Sequence, residues 1–345
     1  MKKIIVTFIL AFSISASYAA TRFVNKNFFI NLNRKINRAI ASEFGYYDFQ
    51  KSIVVDYSLT KSEEVKNLID KVSIEHMNTI ITKLSSYPTR NYLTATGVEA
   101  FDWIADYWQT LVANRSDISI KRIKHDNFDQ RSIILEVKGS DPTINDQIIL
   151  MGAHGDSINT DSADIHAIAP GANDNAAGVA ILTDLIRLIV ENNYSPKRTL
   201  HFVIYAAEEY NMLGSYDIAK RYRENRQKVI GTLNLDGVND KQNNDYDLSL
   251  IDDSTNKEQN IFLGTLIDTY LQKKWTYQTC GYGCSDHAAW NYEGYRASAP
   301  FEGLLADETP YIHTKDDTFD KANYSSAHAS IFAKLTISYF VELDK

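Results

Sequence analysis

Proline, glycine and cysteine are scarce in this chain: six, fifteen and two occur among 345 residues. So little Pro and Gly excludes a collagen-like or low-complexity polymer. Charged residues are 23% of the chain and hydrophobic residues 44%, which excludes a disordered polyelectrolyte and leaves enough apolar material for one large domain. No block of lysine and arginine marks a phosphate-binding face, and acids outnumber bases 44 to 36. Nucleic acid is therefore not an expected partner. Past residue 19 no stretch stays apolar for the ~18 residues a membrane span needs, so no span is expected in the mature chain. No internal repeat and no linker interrupts the pattern.

The amino terminus carries a targeting pattern. Met1-Lys2-Lys3 is basic, Ile4 to Ile14 is apolar apart from Thr7 and Ser13, and Ser17-Tyr18-Ala19 supplies small residues for cleavage. Residues 1–19 read as a secretory signal peptide, which predicts export to an extracellular or periplasmic space. Residues 20–62 hold an aromatic cluster (Phe28, Phe29, Phe44, Tyr46, Tyr47, Phe49) and read as an N-terminal extension or propeptide. Residues 63–345 read as one domain.

The two cysteines, Cys280 and Cys284, stand in Thr279-Cys-Gly-Tyr-Gly-Cys-Ser285. In an exported protein a bridge between them is expected. Gly281 and Gly283 permit the tight loop, and so short a loop gains little from closure entropy. A thiolate metal site is disfavoured, because there is no second cysteine pair.

Helical spacing runs through Val65, Leu68, Ile69, Val72 and Ile74, then Met77, Ile80, Ile81 and Leu84. Thr96-Gly-Val-Glu99 reads as a capping box before a helix over 100–111. Strands are predicted at 118–123, 132–137, 147–151, 199–205, 229–235 and 248–251. Helices are predicted at 176–191, 212–224, 259–272 and 325–343. Strands alternating with helices predict an α/β fold, a mostly parallel, mixed central sheet flanked by helices.

In such sheets ligands gather at the carboxyl ends of the strands. Three predicted strands deliver chemistry there. Ile148-Ile-Leu-Met151 leads to His154 and Asp156, Leu200 to Tyr205 leads to Glu208-Glu209, and Ile230 to Leu235 leads to Asp236. A Gly-rich loop presents Asp174 just before a helix, and a late polar loop carries His313. Two imidazoles with several carboxylates suit zinc. Adjacent strand-end residues point apart, so one of Glu208 and Glu209 can ligate while the other faces the substrate.

At these residues the sequence resembles the secreted bacterial leucyl aminopeptidases, zinc exopeptidases with a co-catalytic metal pair. The resemblance runs from about residue 75 to the C-terminus and includes the Cys280–Ala288 loop and Pro196-Lys-Arg198. It implies two zinc ions per chain. Asp174 would bridge them, His154 and Asp236 would complete one site, and Glu209 and His313 the other. Glu208 would be the general base for a water activated between the metals, and Asp156 would orient His154. One departure is Gly155, where the family usually has a bulkier apolar residue.

The resemblance also implies a pocket for the first side chain, walled by Gly237, Tyr282, Cys284, Ala299, Phe301, Leu305, Glu308 and Ile312. Gly237 and Ala299 are small and Glu308 is acidic, which predicts a preference for amino-terminal Lys or Arg. The alternatives are a broad or Leu-preferring aminopeptidase, and a glutaminyl cyclase or a binding protein on the same fold. Substrates would be peptides with a free amino terminus, and the protein is expected to be a monomer. Outside this set, His76, His125, His166 and His328 read as surface residues, His201 as a packed or surface residue and Asp316-Asp317 as a solvated acidic turn. His287 reads as support for the loop or the site.

Overall fold

The alternation of apolar residues along the strands builds two packed layers on one sheet. In the computed structural model the described residues are 53–242, 245–321 and 323–345. The predicted signal peptide and most of the predicted extension lie outside them. Residues 53–59 are described, and Ile53, Val55, Tyr57 and Leu59 pack against the domain's core.

The helices are α1 (Ser62–Ile69), α2 (Ile74–Ser85), α3 (Ala95–Leu111), α4 (Ala177–Glu191), α5 (Leu213–Glu224), α6 (Lys257–Leu266), α7 (His287–Tyr292) and α8 (Ser326–Leu343). The strands are β1 (Ile118–Ile123), β2 (Ser132–Val137), β3 (Gln147–His154), β4 (Thr199–Tyr205), β5 (Lys228–Asn234), β6 (Leu248–Ile251), β7 (Trp275–Gln278), β8 (Ala297–Ser298) and β9 (Pro300–Phe301). The six-stranded main sheet has the order β1-β2-β4-β3-β5-β8, and a small sheet has the order β7-β6-β9. In the main sheet β1-β2 and β2-β4 pair antiparallel, whereas β4-β3, β3-β5 and β5-β8 pair parallel. The mixed, mostly parallel sheet is thus as expected.

Alternate residues face opposite layers, as strand geometry requires. Ile149, Met151, Leu200, Phe202 and Ile204 join the larger core with α2, α3, α4 and α8. Ile148, Leu150, Val203 and Tyr205 join the smaller one with Ile218 of α5 and Trp290 of α7. Both faces are covered, which explains why β3 and β4 read as continuous apolar runs. Truncating a fully buried side chain such as Phe202 would cost about 3–5 kcal/mol.

Local signals differ from expectation in three places. The cap of α3 is Thr94, whose hydroxyl accepts the N–H of Gly97 at 3.0 Å, so Thr96 lies inside the first turn. The periodic run from Val65 to Leu84 is two helices, because Ser73 is extended (φ −105°, ψ 106°) and caps α2 through His76 N–H. The extended reach of 259–272 is also composite, since α6 passes into a π-helical turn at Ile267–Leu271.

Candidate metal centre

The parallel register brings the carboxyl ends of β3, β4 and β5 side by side. β3 ends at His154, which is 1% exposed. Gly155 N–H then donates to Tyr205 O at 3.0 Å, carrying the pairing to the end of β4. A Cβ at Gly155 would meet Ile204 Cγ2 and Phe101 Cζ at 2.8 Å. Those two side chains fill the space that a bulkier residue there would take.

Asp156 is fully buried. Its Oδ1 accepts Glu208 N–H at 3.0 Å and its Oδ2 accepts Glu209 N–H at 3.2 Å. It also lies 3.5 Å from His154 Nδ1. After β5, Asp236 is held by Ser285, whose hydroxyl donates to Oδ2 at 2.6 Å while accepting from Asn234 Nδ2 at 2.8 Å. Asp174 sits in the loop before α4. Asn175, next to it, donates to Leu235 O and accepts Gly178 N–H, tying that loop to β5. The His313 carbonyl accepts Thr160 N–H at 2.8 Å.

These elements bring five side chains into two overlapping groups. Asp174 Oδ1 lies 2.9 Å from His154 Nε2, and Asp236 Oδ1 lies 3.4 Å from that same nitrogen. Asp174 Oδ2 lies 2.8 Å from His313 Nε2, which is 3.0 Å from Glu209 Oε2. His154, Asp174 and Asp236 can hold one ion, and Asp174, Glu209 and His313 another. Asp174 belongs to both, one oxygen turned to each.

The electrostatics show a cluster that needs positive charge. Burial alone would lower the His154 pKa, but Asp236, Asp156 and Asp174 outweigh it and hold it well above the ordinary value. For His313, burial is likewise outweighed by Glu209 and Asp174. Burial would raise Asp174, yet the two histidines pull it down. Burial together with Asp174 lifts Glu209 to about 7. Burial also pushes Glu208 well up, with Asp286, Asp236 and Glu209 adding to it.

The residues fit zinc. The donor set is imidazole nitrogen and carboxylate oxygen, which zinc accepts. His154 Nε2 and Glu209 Oε1 are buried and make no hydrogen bond, although Asp174 Oδ1 stands 2.9 Å from that nitrogen. Buried polar atoms left that way are costly unless another partner completes them.

Several of the predicted pocket residues contact one another. Ala299 and Phe301 cluster with Ile251, and Cys280, Cys284 and Leu305 pack against them. Cys280 and Cys284 form the expected disulfide. The Phe301 ring covers Gly237, where a Cβ would lie 2.4 Å from Cε2, so the ring takes the room that glycine leaves. Tyr282 is 71% exposed but senses the charges of Glu308, Asp236 and Glu208. Glu308 is an exposed residue whose carboxyl is raised by partial burial and by Asp174 and Asp236. Ile312 is half-buried immediately before His313.

Several readings of residues outside the set are corrected. His125 is buried, 2.6 Å from Asp217 Oδ2 and 2.8 Å from Ser132 Oγ. Ser132 is fully buried and accepts Ala206 N–H, so this Ser-His-Asp chain has no access to a substrate. His328 is buried with Nε2 donating to Glu302 O, and His76 is half-buried between Asp184 and Tyr107. His166 is exposed as expected, and His201 packs between Tyr222 and Glu136. Asp316 is in an open turn, but Asp317 is 1% exposed and accepts the N–H groups of Asn173 and Asp174. His287 is buried beside Asp286. Sequence reasoning missed Ser285, Asp286 and the true place of Asp317. Ser285 and Asp286 directly follow the second cysteine, which was the available signal.

Residues 132–337 match the model of peptidase family M28. This chain belongs to peptidase family M28. The M28 chain is 32% identical over 320 residues to a probable leucine aminopeptidase of Arthroderma benhamiae, covering 92% of this chain and 84% of that protein. It is 31% identical over 310 residues to leucine aminopeptidase 1 of Arthroderma otae, covering 86% and 81%. Among solved structures it is similar to the LapA aminopeptidase of Legionella pneumophila (TM-score 0.76, 28% identity, 85% of this chain and 78% of that one). It is also similar to LapB of the same organism (TM-score 0.79, 25% identity, 95% and 83%). A glutaminyl cyclase of Bacteroides thetaiotaomicron shares the fold at 15% identity and TM-score 0.64, over 79% of this chain and 98% of that one.

Proposed function

We propose that this M28 zinc aminopeptidase binds two zinc ions per chain, uses Glu208 as general base and prefers peptides that begin with Lys or Arg. The observation that carries the metal pair is Asp174, with one oxygen in each of two ligand groups. His154 and Asp236 would complete one site, Glu209 and His313 the other. Zinc held there supplies Lewis acidity, which polarises a carbonyl and makes a water easier to deprotonate.

The chain's own residues perform the proton chemistry. Glu208 is adjacent to a ligand, but no oxygen of it is needed for either group. Its backbone is pinned by Asp156, so the side chain is offered from a fixed point. Glu208 takes the proton as water attacks the scissile carbonyl carbon, and returns it to the amine as the C–N bond breaks. Ser285 holds Asp236 in place while this occurs. The acidic surroundings favour a substrate whose amino terminus is protonated on arrival.

First-residue preference rests on Glu308. Its carboxyl is raised by partial burial and by Asp174 and Asp236, and it acts electrostatically on Tyr282, while Ile251, Ala299 and Phe301 cluster into an apolar wall. A long side chain can lay its methylenes on that wall and bring its cation to Glu308. A Leu-preferring enzyme is the second reading, favoured by that same apolar wall and by the names of the relatives. We also propose that the chain is exported after removal of residues 1–19 and acts as a monomer. No helix among the described residues is long and apolar enough to cross a membrane.

The test is hydrolysis of Lys-, Arg-, Leu- and Glu-aminoacyl chromogenic amides, with and without a zinc chelator. Chelator-sensitive cleavage led by Lys or Arg supports the proposal. Leu-led cleavage retains the metal chemistry and rejects the Glu308 preference. Absence of cleavage with zinc supplied rejects the aminopeptidase mechanism.

A further inference from the structure

Arg90 is the largest charged side chain wholly buried in the described domain, at 0% exposure. Among the described residues no carboxylate forms an ion pair with it. Its guanidinium is spent instead on backbone carbonyls. Nε donates to Gly155 O at 2.8 Å, Nη2 to Gly171 O at 2.8 Å, and Nη1 to Leu84 O at 3.2 Å and to Pro170 O. Gly155 is the residue after ligand His154, and Gly171 opens the loop that carries Asp174. One planar fork therefore ties two ligand-bearing segments to the end of α2.

The same loop is held from its other side. Asp317 accepts Asn173 N–H at 3.0 Å and Asp174 N–H at 3.1 Å, and its own carbonyl accepts Ala172 N–H at 3.0 Å. Arg90 thus takes the carbonyls at 170 and 171, and Asp317 takes the N–H groups at 173 and 174. Asp317 follows His313 by four residues, so the brace reaches a third ligand segment. Gly171 has φ +55°, and a Cβ there would lie 2.6 Å from Arg90 Nη2, so glycine is required for the fork to approach.

Charge points the same way. Asp317, Asp174, Asp156 and Glu209 all act electrostatically on Arg90. Burial of a guanidinium is expensive unless its donors are paired, and here carbonyls pair them while carboxylates supply the opposing field. A lysine could offer a charge but not this fork.

We propose that Arg90 is a positioning residue for the metal pair, bracing the segments that carry His154 and Asp174. This inference rests on the metal reading above. Its test is zinc binding, measured by competition with a chromophoric chelator on the full chain, for wild type, Arg90→Lys and Asp317→Asn. Thermal unfolding of the zinc-free proteins is measured alongside.

Outer partners of metal ligands typically contribute 10–100-fold to metal affinity. Arg90→Lys is expected to weaken zinc at least tenfold, and Asp317→Asn to do the same from the opposite side of the loop. Zinc is also expected to raise the unfolding midpoint less in the variants than in wild type. Wild-type zinc affinity in folded Arg90→Lys overturns the inference, even if the zinc-free midpoint has fallen, because that is a structural role alone. Should lysine at 90 prevent folding, Asp317→Asn decides, and wild-type affinity in it overturns the brace. Failure of wild type to bind zinc would instead sink the metal reading itself.

Discussion

Asp156 Oδ1 accepts the backbone N–H of Glu208 at 3.0 Å, so the residue two places after the proposed ligand His154 positions the proposed base. Its second oxygen accepts Glu209 N–H, which ties base and ligand to one carboxylate. Asp156→Asn keeps the volume but turns one acceptor into a donor facing an N–H. Activity is expected to fall about 10–100-fold, with cooperative unfolding retained. Steady-state kinetics and a melting curve check this, and unchanged kcat/KM would contradict it.

Glu208→Gln removes the proton acceptor and little else. General acid–base catalysis contributes about 10²–10⁴-fold, so kcat is expected to fall by that range while zinc content stays that of wild type. A variant that loses zinc in proportion to activity would show that Glu208 is a ligand and not the base.

Glu308→Gln is expected to lower the ratio of Lys to Leu kcat/KM about tenfold, mostly through the cationic substrate. A charged hydrogen bond is worth about 1.5–3 kcal/mol, which covers such a change. The ratio in wild type should also fall with added salt. An unmoved Lys-to-Leu ratio would place Glu308 outside recognition.

His328 supplies a pH dependence of stability. Burial lowers its pKa from 6.5 to about 4, against Glu302 O and Asp247, with Lys241 and Lys273 adding to the lowering. The unfolded chain therefore binds a proton between about 6.5 and 4 that the folded chain does not. Stability is full above pH 6.5 and declines as pH falls through that window, by roughly 1.4 kcal/mol per pH unit where the difference is complete. His328→Asn should flatten this part of the stability profile. Denaturant unfolding at pH 7 and pH 5 reads it, and equal slopes in the two proteins would refute the assignment.

Most of the candidate ligands were legible because they follow an apolar strand or a Gly-rich turn, and strand ends gather in a parallel sheet. His154, Glu209 and Asp236 needed only β3, β4 and β5, whose apolar runs are unmistakable once both sheet faces are covered. Asp174 and His313 came from loops, and family resemblance was needed to give them roles. The two-residue strands β8 and β9 were invisible, since so short a run carries no period and pairing alone defines them, and β7, with only Leu248–Ile251 as its partner, was missed too. Asp317 looked solvated because Lys315, Asp316 and Asp317 form a charged string. Its burial depends on a loop more than 140 residues away. His125 and His328 were misplaced for the same reason, each being satisfied by distant partners. The Gly237 position shows the converse, where a small residue reads as open space but Phe301 fills it.

The central claim is a metal pair that shares Asp174. The most direct measurement is zinc content per folded chain by elemental analysis, followed through stepwise chelation with aminopeptidase activity read at each step. The account predicts two zinc ions per chain at full activity, loss of activity as they are withdrawn and recovery when zinc is returned. One ion at full activity, or activity that survives complete removal, would contradict it.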